Sequence, residues 1–117
     1  MSPRPVVRRL SETKGVPCPC GTAYRVLSPQ DGQPLSVHYV DISEDARAHY
    51  HTKLTETYVV LEGTGRLQLD QEFVELAPGT VVTIPPGVVH RAIGKLRILN
   101  IVIPPFDPND EIEVGRG

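Results

Sequence analysis

Apolar and polar residues alternate in short runs along most of the chain, and no run sustains a helical period. The clearest case is Arg66-Leu67-Gln68-Leu69-Asp70, where both leucines share one face and the polar groups the other. That is the pattern of a half-buried antiparallel strand. Leu35 to Ser43 is rich in β-branched and aromatic residues and predicts a longer strand. Tyr24–Ser28, Tyr58–Glu62, Phe73–Leu76, Thr80–Ile84, Val88–Ile93 and Leu96–Ile103 predict the others. Turn chemistry separates them: Pro29-Gln30-Asp31-Gly32, Gly63-Thr64-Gly65, Asp70-Gln71-Glu72, Pro78-Gly79, Pro85-Pro86-Gly87 and Gly94-Lys95. Glu44 to Arg47 reads as a polar connection. About eight strands at spacings of ~8–12 residues predict an all-β domain, a sandwich or barrel.

Composition narrows the picture. The 117 residues make one domain, and 12 prolines with 10 glycines suit many short extended segments joined by turns. No apolar run approaches the ~20 residues of a membrane span. The N-terminal arginines have no apolar stretch behind them, so no signal peptide and a cytoplasmic location are expected. The net charge of -2 argues against general nucleic-acid binding. Charge is nevertheless uneven. Arg4, Arg8, Arg9 and Lys14 outnumber Glu12 at one end, and Asp107, Asp110, Glu111 and Glu113 outnumber Arg116 at the other. The ends read either as solvated or as packed against each other or a second subunit. Prolines 3, 5, 17 and 19 keep the first segment extended and out of a central strand. Cys18 and Cys20 are too few for a closed zinc site and close enough in sequence to strain a disulfide, so reduced thiols beside a turn are expected.

The chemistry concentrates around residue 50. In an extended chain His49 and His51 point the same way, and Glu56 can rejoin that face after a short turn. Two imidazoles and a carboxylate converging on one point make half or more of a transition-metal shell. His38, inside a predicted strand, is more ordinarily a packed or solvated side chain, yet it and Tyr58 are the candidate catalytic acids or bases. Counting by twos places Tyr58, Val60, Val88, Ala92, Leu67 and Leu69 inward, with Asn100 a polar candidate on the last long strand.

His49-x-His51, four residues, Glu56, six residues, Gly63 resembles the first signature of the cupin family. Gly79, five residues, Pro85-x-Gly87, two residues, His90 resembles most of the second, 15 residues further on. Ser43 stands where the first signature usually has glycine, and Gly94 where the second usually has asparagine. Neither position is a metal ligand in the family. The resemblance, to a small single-domain cupin of the conserved-barrel type, implies a double-stranded β-helix or jelly-roll barrel over residues 24–106. It implies an N-terminal arm over 1–23, exchanged in a homodimer or a plain tail, and an acidic tail over 107–117. It further implies one divalent transition metal (iron, manganese, nickel, copper or zinc) on His49, His51, Glu56 and His90.

Such a site takes a small-molecule ligand, with no nucleic acid or membrane as partner. Two functions compete on this basis. One is a metal-dependent isomerase, lyase or dioxygenase acting on a sugar-like, keto or carboxylate substrate. The other is a non-catalytic metal-containing binding protein. Pro104-Pro105-Phe106-Asp107-Pro108 also looks like the end of small cupins grouped with mannose-6-phosphate isomerases, but Arg47, Lys53 and Arg91 are too scattered to clamp a phosphate.

Overall fold

A computed structural model describes residues 4–43 and 46–114. Residues 1–3 of the predicted arm, 44–45 of the polar connection and 115–117 of the acidic tail lie outside the described residues. The described residues form a curled antiparallel sheet of nine strands. They are β1 (Gly15–Cys18), β2 (Gly21–Leu27), β3 (Ser36–Ile42), β4 (His49–Tyr50), β5 (Thr55–Leu69), β6 (Glu72–Leu76), β7 (Val81–Ile84), β8 (His90–Ile103) and β9 (Ile112–Glu113). The fold is all-β, a curled barrel as the pattern of strands predicts. Among the described residues no helix is long and apolar enough to cross a membrane.

β8 is the spine. Its second half pairs with β3 from Ser36↔Val102 to Ile42↔Leu96, and its whole length pairs with β5 from Thr55↔Ile103 to Leu69↔His90. On β3, Ser36, His38, Val40 and Ile42 are buried and the alternate residues half-buried, as period-two alternation requires. The interior is filled by such inward residues, among them Val40, Val60, Leu67, Leu76, Ile84 and Ile98. A smaller cluster of Leu54, Val102 and Phe106 closes one end.

Two predicted turns are absent. Gly63-Thr64-Gly65 lies inside β5, and Gly94-Lys95 lies inside β8. The two stretches face each other, with Gly63 opposite Leu96 and Gly65 opposite Gly94. A Cβ on Gly63 would collide with the Lys95 carbonyl oxygen, and one on Gly65 with that of Ile93. Here glycine admits another backbone at close range where the paired strands curl together, and the chain does not reverse. The Asp70-Gln71 turn does reverse it, with Asp70 at φ 55°.

Residues 15–23 of the predicted arm belong to the β1–β2 hairpin, which pairs with β3 of the same chain. Pro17 sits on β1 at the sheet edge, where its missing N–H costs no ladder bond. Cys18 ends β1, Cys20 stands in the hairpin turn after it, and the two form a disulfide, which corrects the expectation of reduced thiols. The turn folds the two Cα atoms to 5.2 Å, inside the range a disulfide spans. Within the acidic end β9 pairs with β4, and Arg47 pairs with Glu113 at 3.1 Å.

Candidate metal centre

Four elements bring His49, His51, Glu56 and His90 together. β4 places His49 directly opposite His90, the first residue of β8. His51 follows β4, and its carbonyl accepts a hydrogen bond from Gly87 N at 2.7 Å. That bond ties the Pro85–Gly87 corner, and so the approach to His90, to the histidine loop. Glu56 enters from β5, opposite Val102 on β8 and Ile84 on β7. All four side chains are buried, and one ligand atom from each lies within 4.8 Å of the others.

The rings are oriented from behind. Nδ1 of His49 donates to the Arg47 carbonyl at 3.0 Å, Nδ1 of His51 to the Asp110 carbonyl at 2.8 Å, and Nδ1 of His90 to the Val88 carbonyl at 2.9 Å. A carbonyl only accepts, so each Nδ1 carries the hydrogen and each Nε2 can present its lone pair inward. Glu56 Oε1 lies 3.1 Å from His51 Nε2 and 2.9 Å from His90 Nε2. Lone pair against carboxylate at that range is repulsive unless a cation stands between them. A second proton on a ring would supply one locally. A divalent metal would serve all three rings and the carboxylate together, and His90 Nε2 is a buried nitrogen without a hydrogen-bond partner. The donor set, three imidazoles and a carboxylate with ring orientation held by backbone carbonyls, fits such an ion.

The electrostatics follow from burial and this crowding. Burial, with the charge of His90 adding to it, lowers His49 to about 4. Burial alone would lower His51 too, but a second proton on its ring would bond to the Glu56 carboxylate and feel its charge, which outweighs burial and raises His51. Burial would raise Glu56, yet the contacts of His51 and His90 hold its carboxyl well below the usual range. Glu56 Oε2 accepts from Asn100 Nδ2 at 2.7 Å, which fixes the plane of the carboxylate.

A narrow cavity of about 20 Å³ adjoins the cluster. Tyr58, placed inward by strand alternation, lines it together with His38 and Asn100. Val60, Leu67, Leu69, Val88 and Ala92 do not; they pack in or against the apolar core. Tyr58 is buried, and burial with the charges of Glu56 and Glu111 raises its phenol well above its ordinary value. His38 has both ring nitrogens engaged. Nδ1 faces Arg25 Nη1 at 3.2 Å, and Nε2 faces Ser36 Oγ at 3.1 Å. Burial and the charge of Arg25 lower it to about 4.

Three contributors escaped the sequence. Glu111 lines the cavity with Oε1 4.0 Å from His49 Nε2. Arg25 also lines it, close enough to feel the charge of Glu111, with its Cζ 4.1 Å from the centre of the Phe106 ring. Asp110 lies behind the loop, its carboxylate accepting from the backbone N–H groups of Thr52 and Lys53, both at 2.9 Å, and of Leu54 at 3.2 Å. The only signal in the sequence was the acidic run itself, which resembles any solvated end.

The model of the family described as "Cupin domain" matches residues 36–102. A glucose-6-phosphate isomerase of Pyrococcus furiosus is 37% identical over 70 residues, covering 52% of this chain and 37% of the isomerase. The chain spans between 28% and 66% of the curated relatives it matches. Among solved structures, a protein from Planctomyces limnophilus is 42% identical with a TM-score of 0.88, covering 93% of this chain and 96% of that one. The Streptomyces nucleoside dehydratase Pac13 shares the fold at 22% identity and a TM-score of 0.80, covering 95% and 92%.

Proposed function

The chain belongs to the cupin domain family, and on that footing we propose that it is a metal-dependent enzyme of isomerase or lyase type that moves protons on a small oxygen-rich substrate. His49, His51, Glu56 and His90 would hold one divalent transition metal, which when bound supplies Lewis-acid polarisation of a substrate oxygen. The observation that carries the reading from binding to turnover is Glu111, a carboxyl in the cavity outside the ligand quartet and 4.0 Å from His49 Nε2. Burial raises its affinity for a proton, against the opposing charge of His51 and with that of Glu56. A carboxyl shifted toward neutrality and open to the cavity is suited to take a proton from one substrate atom and return it to another.

The remaining groups fit supporting parts. Tyr58 keeps its proton and serves as a hydrogen-bond donor to a substrate oxygen. His38, with Arg25 and Ser36 on its two nitrogens, is a positioning residue here and not the acid or base expected from sequence. The isomerase relative is in keeping with a redox-neutral reaction, and the Glu111 carboxyl favours proton transfer over dioxygenation.

Hydrogen–deuterium exchange tests this. Protein purified without chelators is assayed for metal and then incubated in deuterated water with hydroxy and keto compounds, and exchange at the carbon beside the carbonyl is read by NMR. Exchange that needs metal and disappears in Glu111→Gln, with metal content retained, is expected. Tight binding without exchange would leave the non-catalytic receptor as the reading. Oxygen uptake by the iron form with diketones, thiols or catechols would restore the dioxygenase.

A further inference from the structure

Arg25, His38, Asn100 and Tyr58 stand in register on four adjacent strands: Arg25 opposite His38, His38 opposite Asn100, and Asn100 opposite Tyr58. All four line the cavity, and they form a polar row one step along the barrel from Glu56. Arg25 is the row's only full cation. It is half-buried, and its guanidinium is held from two sides, by the His38 ring nitrogen and by the face of Phe106. His38 is fixed in turn by Ser36, whose hydroxyl oxygen also accepts from Phe106 N at 2.9 Å. The same small network therefore orients both partners of Arg25.

A guanidinium taken partly out of water normally has a carboxylate beside it. Among the described residues no carboxylate lies within ion-pair distance of Arg25. Its one side-chain hydrogen bond, to His38, leaves the rest of its five-donor fork uncommitted. A planar fork held in place matches a single carboxylate in bidentate fashion. One guanidinium matches the single charge of a carboxylate, whereas a phosphate ester carries up to two.

We infer that Arg25 is the anion anchor of the cavity, and that the molecule bound is a small hydroxy- or keto-carboxylate whose carboxylate pairs with Arg25 while its other oxygens reach toward the histidine–glutamate cluster. The inference rests on the proposed function and narrows its substrate class. Two strand spacings, roughly 10 Å, separate the Arg25 and Asn100 backbones, and Asn100 holds Glu56. A compact molecule spans that distance, and binding it has to widen the narrow cavity between the two ends.

Isothermal titration with three shape-matched probes decides it: gluconate, neutral glucitol and glucose 6-phosphate, each on metal-loaded and metal-free protein. Gluconate should bind at least about tenfold more tightly than glucitol, the ratio expected when one charge-assisted bidentate pair is gained. Arg25→Gln should abolish that preference and Arg25→Lys restore part of it. Arg97→Gln, on the outer face where Arg97 pairs with Asp41, should leave it unchanged. Thermal melting of each variant confirms that it is folded. Equal binding of gluconate and glucitol, no gluconate binding at millimolar concentration, tighter binding of glucose 6-phosphate, or an unaltered preference in folded Arg25→Gln overturns the inference. Metal content is measured on the same samples. Loss of the metal reading would show there, while gluconate against glucitol on metal-free protein still reports on Arg25.

Discussion

Asp110 holds His51 in place twice over. Its backbone carbonyl accepts from His51 Nδ1 at 2.8 Å, and its carboxylate collects the Thr52, Lys53 and Leu54 N–H groups that follow His51. Thr52 Oγ1 donates to the same carboxylate. The loop between two ligands is thus shaped by a residue nearly sixty positions away.

Removing that carboxylate should loosen both fold and site. Asp110→Ala orphans three backbone donors, and a loss of about 3 kcal/mol is expected in urea unfolding. Metal affinity should fall roughly 10- to 100-fold, as for other groups that orient a ligand. Asp110→Asn keeps an acceptor oxygen and should lie between. Unchanged metal affinity in a folded Asp110→Ala variant would show that the loop needs no such anchor.

Glu56→Gln should split stability from metal binding. In the metal-free chain the Glu56 carboxylate faces the inward Nε2 atoms of His51 and His90, at 3.1 and 2.9 Å. A glutamine amide would donate to those nitrogens, and its oxygen would still accept from Asn100. The metal-free variant is therefore expected to be at least as stable as the parent, with a gain of about 1 kcal/mol. The rise in melting temperature on adding manganese, iron or zinc should disappear. A destabilised metal-free variant would mean that the histidines carry protons in the parent.

Acid should destabilise the metal-free protein through His38. Burial and the charge of Arg25 hold it neutral in the folded chain down to about 4, whereas an unfolded histidine protonates near 6.5. Between those values the unfolded state binds more protons, so stability falls as pH drops through the window and levels off below it. The loss is about 3 kcal/mol. His38→Gln, which keeps a donor and an acceptor, should show a flatter profile over the same range. His49 acts in the same direction, through burial and the charge of His90. Parallel profiles for parent and His38→Gln would place the acid sensitivity elsewhere.

Glycines that appear alike in the sequence should respond differently. Gly63 and Gly87 both have φ 87°, but only Gly63 has a backbone carbonyl where its Cβ would go. Gly63→Ala is expected to cost about 3 kcal/mol, from the backbone conformation and the collision together. Gly87→Ala, with open space around it, should cost about 1 kcal/mol. Comparable costs at the two positions would remove the close strand approach as the reason for Gly63.

The all-β class, most strand positions and the convergence of His49, His51, Glu56 and His90 were legible in the sequence. Each depends on alternation along a strand, or on a fixed spacing that a local stretch of chain can express. The glycine turns were misread because local preference does not distinguish a residue that bends the chain from one that lets a neighbouring strand approach. Cys18 and Cys20 were misread because the hairpin, and not their separation in sequence, sets the distance between their backbones. Arg25, Asp110 and Glu111 had no local signature. Arg25 becomes a cavity residue only when β2 pairs with β3, and the acidic end reaches the site only because β9 pairs with β4. Side-chain direction is a short-range property that the sequence carried by itself; which distant strands become neighbours is decided by sheet closure, and closure decided who stands around the ligand quartet.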